Sequence, residues 1–561
     1  MSDRDRLRFI PLGGFGEIGM NCLALEFAGR LLLVDFGVMF PHCDTPGVDV
    51  IHPSLDYLVE RRDDIAGLVL THGHEDHVAG VPYLLRELDV PIYGAPYTLR
   101  LLEDRLREFD RAGGLESRTL ASGDRCRIEP FEVRPFPMPH SIIDNAGLLV
   151  ECPAGRVLHS GDFRLGLGGA DRGCDALSRL AEMAEGGVDV MVVDSTGAEE
   201  REVIGDETRV TRTVDRLVSS APGRVFVSIF SSNVGRLEAI IGIARKRGRK
   251  VALSGRSVHH HVEAARETGE LTLPADTLIP AEDAAKLPRD ELLVLLSGTQ
   301  GEQRSALGRL AAERHRDLRV DDGDLVILSS RFIPGNEIAI SEMIDRLIRL
   351  GARVVHRGND PGVHVSGHGS REEIRAAIEA VSPRALLPAH GTYRHMSAAA
   401  EIARQVGVPS VAVVPNGRVA SLDGDRLLIE QQTVPVSRVH VDGGSGLPES
   451  AIRERRLLAN RGLLLVSWLA GSEGELVGDV SVVTRGVISE EAAPWLADQI
   501  ARETRRAVEA MDVEERRDPS RCSARVRSAL RKFSSKTLSR EPYVLVTIIP
   551  EPAAPAGVLT G

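Results

Sequence analysis

Cysteine is scarce and scattered: six occur in 561 residues, at positions 22, 43, 126, 152, 174 and 522. No two form a C-x-x-C pair, which argues against a disulfide framework and against a thiolate zinc site. No apolar run is long enough to span a bilayer, so no membrane partner is expected. The opening residues Met1-Ser2-Asp3-Arg4-Asp5-Arg6 are charged and lead straight into a strand, without the apolar stretch of a secretory signal. A cytoplasmic location is the expectation. Basic charge is not in excess either, with 69 Lys and Arg against 81 Asp and Glu and a formal net charge of -12. A polyanionic substrate would have to be gripped by local basic patches and by metal. The 42% hydrophobic and 27% charged fractions and a mean hydropathy of -0.08 describe an ordinary globular chain. Its length predicts roughly three or four domain-sized pieces.

Against these absences stands one dense stretch, Thr71-His72-Gly73-His74-Glu75-Asp76-His77, directly after the apolar run Gly67-Leu68-Val69-Leu70. Neutral imidazole and carboxylate are the ligands Zn²⁺ takes most readily after thiolate. Two histidines one residue apart can converge on one ion, while Asp76 and His77 can turn to a second. A two-ion site needs more donors than one loop supplies, and three other strand-end segments offer them. These are Pro139-His140-Ser141, His159-Ser160-Gly161-Asp162 and Pro388-Ala389-His390-Gly391; the carboxylate of Asp162 is suited to bridging two ions. All-nitrogen-and-oxygen ligation suits Zn²⁺, with Mn²⁺ able to substitute.

The glycines from Gly14 to Gly19 match G-x-G-x-x-G, but a dinucleotide site requires a helix next. Cys22 to Phe27 and Arg30 to Asp35 instead read as a hairpin turned by Ala28-Gly29, so the glycines form a tight loop near the metal residues. The first two hundred residues mix strands and helices, as in a sheet-on-sheet core covered by helices. From about Gly205 a regular βα alternation begins: strands at 224–229, 250–253, 292–296 and 325–328, with a helix at 235–246 between the first two. This pattern predicts a parallel α/β insert. The expected division is 1–205 and 361–448 for a split first domain, 206–360 for the insert, 449–462 for a linker and 463–561 for a C-terminal domain. That last piece carries a strand near 463–466, a helix at 492–511 and a final strand at 543–549.

The series His72-x-His74-x-Asp76-His77, His140, Asp162 and His390 resembles the metallo-β-lactamase superfamily. The insertion carrying Asp194-Ser195-Thr196 and His364-Val365-Ser366-Gly367-His368 looks like the β-CASP subgroup. Ile10-Pro11-Leu12-Gly13-Gly14, Gly16-Glu17-Ile18-Gly19, Pro334-Gly335-Asn336-Glu337 and Pro388 to His395 are similar to the bacterial ribonuclease J family. The resemblance covers about residues 7 to 450. It implies an αββα metallo-β-lactamase sandwich, an inserted parallel α/β β-CASP domain and a small α+β C-terminal domain. It further implies two Zn²⁺ per chain, with Mn²⁺ or Mg²⁺ substituting. One ion would be held by His72, His74 and His140 and the other by Asp76, His77 and His390, with Asp162 bridging. By the same resemblance Asp194 orients a ligand histidine. His368 lies by the scissile phosphate as transition-state stabiliser or general acid, and the catalytic set is His368, Asp194 and Asp76.

Ser231-Ser232-Asn233 ends a strand and leads into a helix, offering hydroxyls, an amide and backbone N–H groups to an anion. Plain helix capping explains the same residues equally well. In the family the corresponding motifs bind the 5′-monophosphate of RNA, which points to Ser231, Asn233, His364, Ser366 and Gly367. The implied activity is a 5′→3′ exoribonuclease with endonuclease capacity on single-stranded RNA, acting in RNA maturation and mRNA decay. The implied assembly is a homodimer or homotetramer, with other RNA-decay proteins or the ribosome as further partners. Two stretches depart from the family: Gly235 stands where a histidine is usual, and Leu296 to Arg304 varies the usual Thr-Gly-Ser-Gln-Gly-Glu-Pro. Arg245 to Lys250 reads as a solvated helix end, and His259-His260-His261 as surface. The rival functions are an internal cutter that does not read the 5′ end, a small-molecule metallo-hydrolase, and an RNA-binding scaffold without catalysis.

Overall fold

The structure, a computed structural model, describes residues 5–41, 45–109, 116–167, 172–201, 205–274, 277–333, 335–488 and 493–551. The chain divides into two compact units, Met1–Phe40 with Val50–Val439 and Pro41–Asp49 with His440–Gly561.

Within the first unit, one sheet of eight strands runs in the order Arg426–Thr433, Arg418–Asp423, Arg8–Gly13, Cys22–Phe27, Arg30–Val34, Ile65–Val69, Ile92–Gly94 and Ser117–Thr119. A second sheet of seven runs Ser410–Val411, Ala385–Ala389, Val190–Asp194, Gly155–His159, Ala146–Cys152, Phe131–Pro137 and Cys126–Ile128. Their facing sides share one core: Leu25, Leu32 and Val34 meet Val133, Val150, Val157 and Val192. Because successive strand residues point to opposite faces, the intervening positions bury outward against helices. Leu31, Leu33 and Leu68 pack with Leu84 and Leu102, and Leu158, Met191 and Leu386 with Leu180 and Ile378. The result is the expected four-layer αββα sandwich.

The inserted sheet lies in the chain between Val190–Asp194 and Ala385–Ala389, two sandwich strands that run side by side and parallel. Its six strands, ordered Leu278–Ile279, Lys250–Ser254, Leu292–Leu296, Val225–Ile229, Leu325–Ser329 and Arg353–His356, are all parallel. The strands read as unbroken apolar runs because both faces are covered. Val225, Val227 and Ile229 face Val214, Leu237 and Val258, while Phe226 faces Leu307 and Ile340. Tyr97 and Leu101, from the helix Pro96–Glu108 of the sandwich, join the first of these cores.

In the second unit Leu463–Ala470 pairs antiparallel with Leu476–Arg485 and parallel with Tyr543–Pro550. Leu464, Val466 and Trp468 bury against Leu496, Ile500, Val526 and Leu530 of the helices Leu496–Glu509 and Pro519–Leu538. The expected helix at 492–511 is thus observed from Leu496, residue 492 lying outside the described residues. The 20-residue Pro519–Leu538 was not expected from sequence. Residues 449–461, expected within a linker, form a helix. Among the described residues no helix is long and apolar enough to cross a membrane.

Candidate metal centre

Each segment that carries candidate ligands follows a strand. Asp35 follows Arg30–Val34, the 71–77 loop follows Ile65–Val69, Asp162 follows Gly155–His159, and His390 follows Ala385–Ala389. Val34 pairs with Val69 and Asp194 with Ala389, so parallel register alone brings these ends together. In the loop, His74 precedes the short helix Glu75–Val78, which presents Asp76 and His77. That helix is clamped from outside: the N–H groups of Asn21, Phe36 and Val38 donate to the carbonyls of Asp76, His77 and Glu75 at 3.0, 2.8 and 3.1 Å. Gly37 permits this approach, since a Cβ there would collide with the Asp76 carbonyl. The glycine loop also serves the site: Phe15 pairs with Gly391 beside His390.

The donors fall into overlapping groups. His72, His74, His140 and Asp162 place ligand atoms within 4.8 Å of one another, as do Asp76, His77 and His390, and Asp162, Asp194, His368 and His390. Asp162 is common to two groups, with His77 Nε2 at 3.3 Å, His390 Nδ1 at 3.7 Å, His72 Nε2 at 3.8 Å, and His140 Nε2 and His368 Nδ1 at 3.9 Å. His390 Nε2 lies 3.1 Å from Asp76 Oδ2. His74 Nδ1 lies 3.0 Å from His72 Nε2 and 3.2 Å from His140 Nε2. Nitrogens around a tetrahedral zinc with bonds of about 2.0–2.1 Å sit roughly 3.3 Å apart. One proton can serve at most two of three converging imidazole nitrogens, whereas one cation serves all of them. The donor set therefore fits divalent metal.

Behind these atoms lies a layer of partners. Asp35 accepts from His77 Nδ1 at 2.8 Å and from the Thr71 N–H and hydroxyl at 2.7 and 2.8 Å. The Thr71 hydroxyl meets His72 Nδ1 at 3.0 Å, the Gly367 carbonyl accepts from His140 Nδ1 at 2.7 Å, and Thr196 Oγ1 meets His390 Nδ1 at 2.7 Å. Such contacts fix imidazole orientation and tautomer. Asp194, expected to orient a ligand histidine, makes its short contact to His368 Nδ1 at 2.8 Å and stands 3.5 Å from His390 Nδ1.

The histidine pKa values on the two sides of the centre are shifted in opposite directions. Burial, reinforced by neighbouring imidazoles, holds His72 and His140 well below the ordinary histidine range; burial pushes His74 down to about 4 against the pull of Asp76 and Asp162. Neutral imidazole is the metal-binding form. Burial also opposes charge on His77, yet Asp162, Asp76 and Asp35 raise it to about 10. Burial alone would raise the Asp162 carboxyl, but His390, His77 and His368 hold it well below the usual carboxylate range. Cations bound there would replace those protons.

The residues expected around an RNA 5′-phosphate lie close by but are partly engaged. The Asn233 side chain caps the helix Val234–Lys246, accepting from the Arg236 N–H. His364, 8% exposed, turns Nδ1 to Arg236 Nη1 at 3.0 Å. The Ser366 hydroxyl accepts from the His368 N–H and the Ser366 carbonyl from Arg164, while Gly367 is committed through its carbonyl to His140. Ser231 meets Ser257 at 2.9 Å. Sequence reasoning missed Arg236, Glu207 and Arg164. Glu207 accepts from Nε and Nη2 of Arg236 at 3.0 and 2.8 Å and faces Arg164 at 3.4 Å, while Arg236 Nη1 donates to the Ser329 carbonyl at 2.9 Å. Asp35 had a signal, a carboxylate at a strand end; the buried arginines had none.

Two surface readings hold for Arg245, Lys246, Arg247, Lys250 and His259, which are exposed, and are corrected at the remaining residues. His261 is packed, its Nδ1 2.7 Å from the Tyr97 hydroxyl, and His260 pairs with Asp104 at 3.0 Å. Arg249, 6% exposed, donates to the carbonyls of Ala221, Gly223 and Leu292.

Comparison with known proteins gives four family matches. Residues 45–225 match a beta-lactamase superfamily domain, 222–347 the beta-CASP domain of ribonuclease J, 354–413 the RNA specificity domain of Zn-dependent metallo-hydrolases, and 450–550 the ribonuclease J C-terminal domain. The chain is 37% identical to ribonuclease J of Thermus thermophilus over 97% of its own length and 96% of that protein's. It is 36% identical to ribonuclease J of Mycolicibacterium smegmatis, covering 97% of each. With ribonuclease J2 of Bacillus subtilis the identity is 32%, over 97% and 99%. A solved structure from Enterococcus faecalis, a protein of unknown function, shares the fold with a TM-score of 0.54 and 18% identity, over 74% of this chain and 100% of that one.

Proposed function

The chain belongs to the ribonuclease J family, and from that premise we propose that it is a metal-dependent hydrolase of RNA phosphodiester bonds. On this reading it is zinc-loaded with two ions per chain and removes nucleotides 5′→3′ from single-stranded RNA. A 5′-monophosphate is the preferred start, and internal cleavage is a second capacity. The observation that carries the proposal is Asp162, with five histidines within 3.9 Å of its carboxylate. His72, His74 and His140 on one side and Asp76, His77 and His390 on the other would hold the metal, which when bound would supply Lewis-acid activation of water and neutralise charge on the phosphoryl oxygens.

The protein's own groups do the rest. Asp35, Thr71, Thr196 and the Gly367 carbonyl hold imidazoles in place. His368, half-buried, with its pKa raised by Asp194 and Asp162 against the effect of burial, is the proton donor to the leaving 3′-oxygen. Asp194 orients it through the 2.8 Å contact. Ser231 and the N–H groups at the start of the helix Val234–Lys246 take the 5′-phosphate, with Asn233, His364 and Ser366 shaping that pocket. Cytoplasmic location, homodimeric or homotetrameric assembly and work beside other RNA-decay proteins or the ribosome belong to the same reading.

One observation favours a second reading, an endonuclease indifferent to the 5′ end: the Asn233 and His364 side chains are already committed to Arg236. RNAs that are 5′-monophosphorylated, 5′-triphosphorylated or circular, incubated with and without chelator, separate the two. Chelator-sensitive release of mononucleotides from the monophosphorylated RNA supports the first. Equal internal cutting of all three supports the second, and inertness toward all refutes both.

A further inference from the structure

Four of the five candidate ligand histidines present Nε2 to their own group, His390 with its Nδ1 also 3.7 Å from Asp162; His74 presents Nδ1 instead, toward His72 and His140. Its Nε2, at the far tip of the ring, therefore points away from the centre. There it meets Ser232 Oγ at 3.1 Å. The outer partners of the other four are Thr71, Asp35, Gly367 and Thr196, which lie in or beside the sandwich segments. Ser232 is the partner that comes from the inserted α/β sheet, just past the strand Val225–Ile229.

The loop carrying Ser232 is firmly held. Asn233 caps the following helix, the Val234 N–H donates to the Ser232 carbonyl at 2.9 Å, and Arg236 is tied to Glu207 and to the carbonyls of Ser329 and Val365. Ser231, next in sequence, lies on the side assigned above to the RNA phosphate.

We propose that Ser232 is a positioning residue for the metal centre. Accepting the Nε2 proton of His74, it keeps Nδ1 free and aimed at the metal, so the first group is completed only by the insert. Without the hydroxyl the ring can turn over and the tautomer is no longer fixed. The inference rests on the metal-centre reading and adds to it a link, through adjacent residues, between substrate loop and metal.

The test uses the full chain stripped of metal and titrated with Co²⁺, read by visible absorbance. Ser232→Ala is expected to weaken Co²⁺ binding by about 10- to 100-fold and to change the absorption band, while Ser232→Thr stays within about threefold of wild type. With metal saturating, kcat of Ser232→Ala should fall equally on 5′-monophosphorylated and 5′-hydroxyl RNA. Wild-type affinity and an unchanged band in Ser232→Ala overturn the proposal. So does a loss confined to KM for the monophosphorylated RNA, which would make Ser232 a phosphate contact. Should Ser232→Ala not fold, Ser232→Cys carries the same test by the same criteria. Absence of Co²⁺ binding by wild type would instead overturn the metal-centre reading itself, and this inference with it.

Discussion

Replacing Glu207 by glutamine removes the countercharge shared by two buried guanidinium groups. Arg236 and Arg164 side chains are 2% and 9% exposed, so neither can turn to water for compensation. Burial by itself would raise the Glu207 carboxyl, but Arg236 and then Arg164 bring it down from 4.5 to about 2. A depression of that size corresponds to roughly 3 kcal/mol, and the 29% exposure of the Glu207 side chain lowers it to about 2 kcal/mol. The sign follows from the direction of the shift. A carboxyl depressed in the folded state contributes fully above 4.5, and the contribution is lost as pH falls from 4.5 toward about 2. The network holds Ser329, Val365 and Ser366, so the loss should be local. Hydrogen exchange at pH 7 is expected to rise by about 30-fold in the segments 207–219, 234–246 and 361–369 of Glu207→Gln. Peptides from 496–538 should not change. The difference from wild type should shrink below pH 4.5, where Glu207 is protonated in unfolded chains. Unchanged exchange in 361–369 would refute the view that this ion cluster braces the His364–His368 motif.

Asp194→Asn removes a charge-assisted contact to His368 worth about 1.5–3 kcal/mol, so kcat should fall by about 10- to 150-fold. Because Asp194 raises the His368 pKa, the alkaline limb of the kcat–pH profile should also move to lower pH. Gly37→Ala drives a methyl group into the Asp76 carbonyl and should cost about 1–3 kcal/mol and part of the bound metal. Gly235→Ala, where a Cβ meets nothing within 4 Å, should leave both intact by thermal melting and metal analysis. Arg249→Ala should lower the melting temperature by stranding three carbonyl groups, while the salt dependence of RNA binding stays that of wild type.

Much of the architecture was legible because its signals are local. The βα alternation after Gly205 reports strands buried on both faces, and the hairpin at Ala28-Gly29 excludes a dinucleotide fold despite the glycine pattern. The ligand loop was legible because so many donors follow one strand. What pattern could not convey was partnership at long range. His261 and Arg249 carry the residue types of a surface, yet one finds the Tyr97 hydroxyl and the other finds three carbonyl groups at strand and helix ends. Pro519–Leu538 escaped because its buried positions, Cys522, Val526, Leu530 and Ser534, form a narrow stripe among arginines. Asp518 at its N-cap and Pro519 in its first turn were the available sign.

The central claim is that Asp162 joins two metal positions. Counting divalent cations per chain by mass spectrometry, in wild type and in folded Asp162→Ala, tests it most directly. Two ions are expected in wild type and at most one in the variant. Fewer than two in wild type, or two retained without the Asp162 carboxylate, would contradict it.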